Sequence, residues 1–205
     1  MSIAIIDIET SMAESYHHLD DNLKNMWLTR CKSKGLDPDL NWNTAALMPE
    51  FSKVIMFGVC TMDKPDKIRI IHGDEITILN EINKIFNHLI SNGYRIAGHN
   101  IIGFDIPFLY KRFLINNIQP HRDLVLWNKK PWDITHIDTM KIWGEPISLE
   151  NLAIALNIDF TKCLTPEEIH YCCRTGDIER LSKYCKQDIE ATTKILNKLS
   201  NLITI

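Results

Sequence analysis

Apolar residues run almost unbroken from Ser2 to Ile8, which predicts a strand covered on both faces, as in the middle of an α/β sheet. Val54 to Thr61 and Lys67 to His72 repeat the β signal, joined by a turn around Asp63-Lys64-Pro65-Asp66. Behind Asp74, a suitable N-cap, Ile78, Leu79, Ile82, Ile85, Phe86, Leu89 and Ile90 recur at helical spacing until Asn92-Gly93 stops them. Tyr94 to Gly98 reads as a short strand, Pro107 to Leu114 as a helix and Ile134 to Asp138 as a last strand.

The C-terminal third is helical. Ser148 can cap Leu149 to Leu156, and Thr165-Pro166-Glu167-Glu168 combines a capping box with proline at the first helical position. From Ile178 onward, Leu181, Cys185, Ile189, Thr192, Leu196 and Leu199 make one long stripe. The order predicts an α/β or α+β architecture, with α/β, a central sheet flanked by helices, as the expected class. Residues 11–48 are polar, mixed and weakly periodic, and read as an insertion between the first two strands, partly helical near Leu19 to Cys31.

A chain of 205 residues with 45% hydrophobic and 24% charged positions is of ordinary globular composition, and its length predicts one domain carrying that insertion. The longest apolar runs are too short to span a bilayer, and no basic region precedes the first apolar run as in a secretory signal. Six cysteines without a regular spacing, two of them adjacent, fit a reducing cytoplasmic setting better than a disulfide framework. The net charge of −3 carries no general attraction for a polyanion, so such a substrate would need local basic groups or bound cations.

Three patches carry candidate chemistry. Asp7 and Glu9 lie two apart where a buried strand ends, so both carboxylates share a face; a bare pair of this kind also occurs as the polar end of a strand. Asn100 to Asp105 follows the Tyr94–Gly98 strand, and Asp105 reads equally as a helix N-cap. Tyr184 and Asp188, four apart on the last helix, share a face beside its apolar stripe. An acid there needs a partner, because an unpaired buried charge costs several kcal/mol. Together the patches supply four carboxylates and a phenol, hard oxygen donors that favour Mg²⁺ or Mn²⁺ over zinc. Cys163, His170, Cys172 and Cys173 can also be drawn as a zinc site, but their spacing does not match one. Lys111-Arg112, Arg122 and Lys129-Lys130, with Trp127 and Trp132, form either a phosphate-tracking edge or a plain solvated face with half-buried aromatics.

With these residues in this order, the sequence resembles the DEDDy 3′–5′ exonucleases of the ribonuclease H-like superfamily. It is most similar to predicted exonucleases related to the proofreading domain of family B DNA polymerases. The first motif stands as Asp7-Ile8-Glu9-Thr10, the second as Asn100-x-x-x-Phe104-Asp105 and the third as Tyr184-x-x-x-Asp188. Supporting segments are Pro49-Glu50-Phe51, His136-Ile137-Asp138, Ser148-Leu149-Glu150-Asn151-Leu152-Ala153 and Gly176-Asp177-Ile178-Glu179, while residues 11–48 depart from the pattern.

The resemblance implies a ribonuclease H-like mixed sheet and two divalent cations, Mg²⁺ or Mn²⁺, held by Asp7, Glu9, Asp105 and Asp188. It implies that Tyr184 orients the attacking water and that Thr10, Asn100 and Phe104 touch the terminal nucleotide. The expected substrate is a single-stranded 3′ end, DNA before RNA, with replication or repair proteins as further partners. An RNA-trimming enzyme and a non-catalytic nucleic-acid-binding module on the same fold are the alternatives. The presence of all four carboxylates speaks against the second.

Overall fold

The N-terminal apolar run becomes the middle of a five-stranded sheet. In this computed structural model, which describes residues 2–200, β1 spans Ser2–Met12, β2 Ser52–Thr61, β3 Lys64–His72, β4 Tyr94–Gly98 and β5 Ile137–Asp138. Their order among the described residues is β3-β2-β1-β4-β5. β1 pairs antiparallel with β2 and parallel with β4, which makes the sheet mixed.

Alternation along β1 sorts the core into two layers. Ala4, Ile6 and Ile8 face α2 (Glu75–Ser91) and α3 (Asp105–Ile115), packing among Ile78, Leu79, Phe86 and Leu109. Ile3 and Ile5 face α7 (Ile178–Leu199), whose Leu181, Cys185, Ile189 and Leu196 supply the stripe read from the sequence. The C-terminal half of α7 buries Ile195 and Leu199 against Leu152 and Ala153 of α5 (Leu149–Ala155). α6 (Pro166–Thr175) begins with the expected capping box at Thr165 and Glu168.

Several boundaries differ from the expectation. β1 runs on to Met12, because Thr10, Ser11 and Met12 remain paired with Val54, Lys53 and Ser52. The turn between β2 and β3 is Met62-Asp63, and Pro65 sits inside β3. β3 is an edge strand, where a residue without an N–H is tolerated. The last strand shortens to Ile137–Asp138, since Asp138 at once caps α4 (Thr139–Trp143) with its carboxylate.

Residues 13–51 build a small aromatic core on the tip of the β1–β2 ribbon. Asp20 caps α1 (Asp21–Lys34), and Gly35 ends it in the left-handed conformation. Trp27 packs edge-on against Trp42 and Phe51, with ring centroids 5.0 and 5.4 Å away. Each indole is satisfied, Trp27 donating to the Pro38 carbonyl at 3.1 Å and Trp42 to the Ala13 carbonyl at 2.8 Å.

A buried ion pair ties this region to the body. Arg112 donates from Nε and Nη2 to Glu75 at 2.8 and 2.5 Å, and from Nη1 to the Pro49 carbonyl at 2.6 Å. Val54 N–H and Asn116 Nδ2 complete the Glu75 carboxylate. Arg112 therefore belongs to the core and not to a phosphate-tracking edge. Trp127 and Trp132 are not half-buried but 76% and 77% exposed, with Lys130 Nζ 5.3 Å above the Trp132 ring. No helix among the described residues is long and apolar enough to cross a membrane.

Candidate metal centre

The face of β1 that buries Ile3 and Ile5 continues to Asp7 and Glu9, so the two acids emerge where the apolar layer under α7 ends. Close approach of α7 depends on Gly58, which pairs with Asp7 across the β1–β2 ladder. A Cβ at Gly58 would lie 2.4 Å from Ile189 Cδ1 and 2.7 Å from Cys185 Sγ. With that space open, α7 brings Tyr184, Cys185 and Asp188 down onto the acids. Ligand atoms of Asp7, Glu9 and Cys185 fall within 4.8 Å of one another.

Asp105 arrives from the other side of β1. Its ladder with β4 ends at Ile5–Ala97, which leaves the Ile8 N–H without a strand partner, and Asp105 Oδ1 accepts that hydrogen bond at 3.1 Å. Asp105 is therefore the first residue of α3 and no N-cap, a place taken by Phe104. The turn before it is shaped by Asp138, whose carboxylate accepts from Asn100 N–H and Ile102 N–H, each at 2.9 Å. Asn100 there adopts a left-handed backbone with φ 58°. Its side chain lies over Gly103, where a Cβ would come 2.4 Å from Asn100 Oδ1. Phe104 is half-buried and stacks at a tilt on Phe108, ring centroids 5.4 Å apart. Thr10 follows the register shift after Glu9, and its hydroxyl donates to the Ala46 carbonyl at 2.7 Å.

The acids are desolvated and crowded. Glu9 and Asp188 are 7% and 9% exposed, and Asp105 is buried. Asp7 is partly open to solvent as a residue, although its Oδ2 is covered. Burial first, then the neighbouring carboxylates, hold Asp7 and Glu9 well above the usual carboxylate range. Burial pushes Asp105 up to about 7 and Asp188 up to about 6. Burial and the same acids raise the Tyr184 phenol, which stays protonated and offers its hydroxyl to Asp188. Asp7 Oδ2, Glu9 Oε1 and Asp188 Oδ1 are buried without a hydrogen-bond partner among the described residues.

Buried carboxylate oxygens left unpaired are costly, and a divalent cation is a partner that satisfies several at once. The oxygen donors fit Mg²⁺ or Mn²⁺, and the Cys185 thiol adds one soft atom at the rim of the set. Lys162 contributes the opposing charge. Its Nζ lies 5.3 Å over the Tyr184 ring, and its field acts on Glu9 and Asp188.

Three contributors escaped sequence reasoning. Gly58 carried the only readable signal, a glycine inside a strand, which marks a close approach. Cys185 was read only as part of the apolar stripe. Lys162 lies in a segment without periodicity. The alternative zinc set does not assemble: Cys172 is in the core, Cys163 is exposed, and the only cluster of potential ligands among the described residues is that of Asp7, Glu9 and Cys185. His136 is buried, and its Nε2 donates to the Asp123 carbonyl at 2.8 Å.

No curated protein matches the chain. Among solved structures, a family B DNA polymerase from the hyperthermophilic archaeon Pyrobaculum calidifontis is similar in fold, with a TM-score of 0.63 at 14% identity. The similarity covers 98% of this chain but only 24% of the polymerase chain. The model of the RNase_H superfamily matches residues 40–200, which include the Asn100–Asp105 and Tyr184–Asp188 patches. With the mixed sheet, the flanking helices and most of its length matched, this chain belongs to the RNase H superfamily.

Proposed function

We infer that the protein is a metal-dependent 3′–5′ exonuclease of the DEDDy type that shortens single-stranded 3′ ends, DNA before RNA, to nucleoside 5′-monophosphates. One observation carries the reading: three buried, unpaired carboxylate oxygens from β1 and α7 converge beside a protonated phenol. Asp7, Glu9, Asp105 and Asp188 would hold two Mg²⁺ or Mn²⁺ ions. When bound, such ions supply a nucleophilic hydroxide near neutral pH and stabilise charge on the phosphoryl and leaving oxygens.

The chain's own groups do the positioning. The Tyr184 hydroxyl, held over Asp188, orients the attacking water. Asn100, on its strained turn, and the half-buried Phe104 ring receive the terminal sugar and base, next to Thr10. Lys162, exposed above the acids, offers a positive charge to the substrate phosphate.

The test is incubation of purified protein with 5′-labelled single-stranded DNA and RNA, with Mg²⁺ and with Mn²⁺. A ladder shortening from the 3′ end with either ion supports the reading, and no shortening of either strand sinks it. Tyr184→Phe should slow turnover, by up to about a hundredfold, with divalent-ion affinity nearly intact. A large loss of ion binding in that variant would contradict a water-positioning role.

A further inference from the structure

β1 does not stop at the acids. On the same face, one alternate position (about 7 Å) beyond Glu9, comes Ser11. Its hydroxyl lies 3.4 Å from His170 Nδ1 and contacts the Cys173 thiol, both on α6. Ser11 and Cys173 form one wall of a cleft of about 650 Å³ at the tip of the β1–β2 ribbon. α1 also lines it, through Leu23 and Met26, so the segment that departs from the family pattern takes part in the cleft.

The lining is mainly apolar, and its charged members are Lys53, Arg174, the Glu75-paired Arg112 and one carboxylate, Glu50. Met26 is 41% exposed, apolar surface that the described residues leave open. Lys53 stands exposed at the edge. Arg174 pairs with Glu14 at 2.9 Å while both side chains remain about half in solvent. Such a surface pair is worth at most about 1 kcal/mol, so a phosphate can take the place of the carboxylate. Flat apolar rings joined by anionic linkers match a mainly apolar lining that carries Lys53 and Arg174. The volume is that of a small-ligand site, ample for a nucleotide.

Resting on the nuclease reading above, we propose that this cleft is a subsite for unpaired bases preceding the 3′-terminal nucleotide, and that residues 13–51 thereby select single-stranded substrate. Continuity with the acids through Ser11 and Cys173 favours a strand already engaged there over an apolar peptide.

The test uses the full chain and the double variant Met26→Asp/Lys53→Glu, both at exposed positions outside the acid cluster. Two substrates are compared in Mn²⁺: a single-stranded dodecamer, and thymidine 5′-p-nitrophenyl phosphate, whose lone nucleotide does not reach the cleft. The variant should raise KM for the dodecamer about tenfold, the loss expected for one stacked base. Its kcat, its hydrolysis of the small ester and its melting temperature should match the wild type. Equal KM values for the dodecamer would overturn the proposal, and that is also the result expected of a peptide-binding cleft. Anisotropy of a labelled dodecamer with Ca²⁺ reads binding without turnover: weaker binding by the variant supports the subsite, and equal binding overturns it. Wild-type protein that hydrolyses neither substrate sinks the nuclease reading instead, and leaves the anisotropy comparison to decide the cleft.

Discussion

Two buried groups of charges sit on either side of the same sheet, and they are built on opposite terms. Around Glu75, the carboxylate receives Arg112 through two nitrogens, Asn116 and the Val54 N–H, and Arg112 in turn reaches the Pro49 carbonyl. Around Asp7, Glu9 and Asp188, three oxygens receive no hydrogen bond from the described residues. A buried charge completed by its own protein is architecture; one left incomplete by the described residues fits the cations of the proposed function.

The contrast breaks most visibly through substitution. Asp188→Ala, or Asp7→Asn, should lower cleavage by about a thousandfold or more. The same changes should raise the melting temperature of the metal-free protein, since each removes a charge that repels its neighbours. A metal-free variant less stable than wild type would show that these acids support the fold. Arg112→Ala should do the reverse. It strands Glu75 and costs about 3–5 kcal/mol, which at this size lowers the melting point by roughly 6–20 °C in thermal unfolding.

Gly58→Ala is next in size. Its methyl would press Ile189 and Cys185 and lift α7, at about 1–3 kcal/mol, and divalent-ion affinity by calorimetry should weaken with it. Stability lost with affinity retained would separate helix seating from the acids. The smallest effect is on pH. Asp105 and Asp188 are raised from an ordinary 3.8 to about 7 and about 6, so their contribution is full at low pH and is lost as pH rises through those values. Metal-free protein should therefore melt lower at pH 8 than at pH 5, and Mn²⁺ should rescue it most at pH 8. A metal-free melting point that rises over that range would overturn the assignment of these shifts to desolvation.

What the sequence showed and what it hid follow from range. The Asp7–Glu9 pair, the α7 stripe and the Thr165 capping box are local patterns, and periodicity reads them directly. The continuation of β1 to Met12 was missed because Thr10, Ser11 and Ser52 are polar, and the hold on the ribbon comes from an aromatic cluster assembled over residues 16–51. Asp105 was ambiguous for a similar reason. A cap and a carboxylate turned toward the sheet look alike in sequence, and only the Ile8 N–H, 97 residues away, separates them. Lys162 and Gly58 act through what folds above them, and no pattern along the chain announces that.

The short fourth strand has a consequence for the whole centre. Were β4 to run two residues further alongside β1, its carbonyls would claim the Ile8 amide, and a helix start could not reach the middle of the sheet. A gap in the ladder is thus the doorway through which a third acid enters, and a better-paired sheet would have shut it.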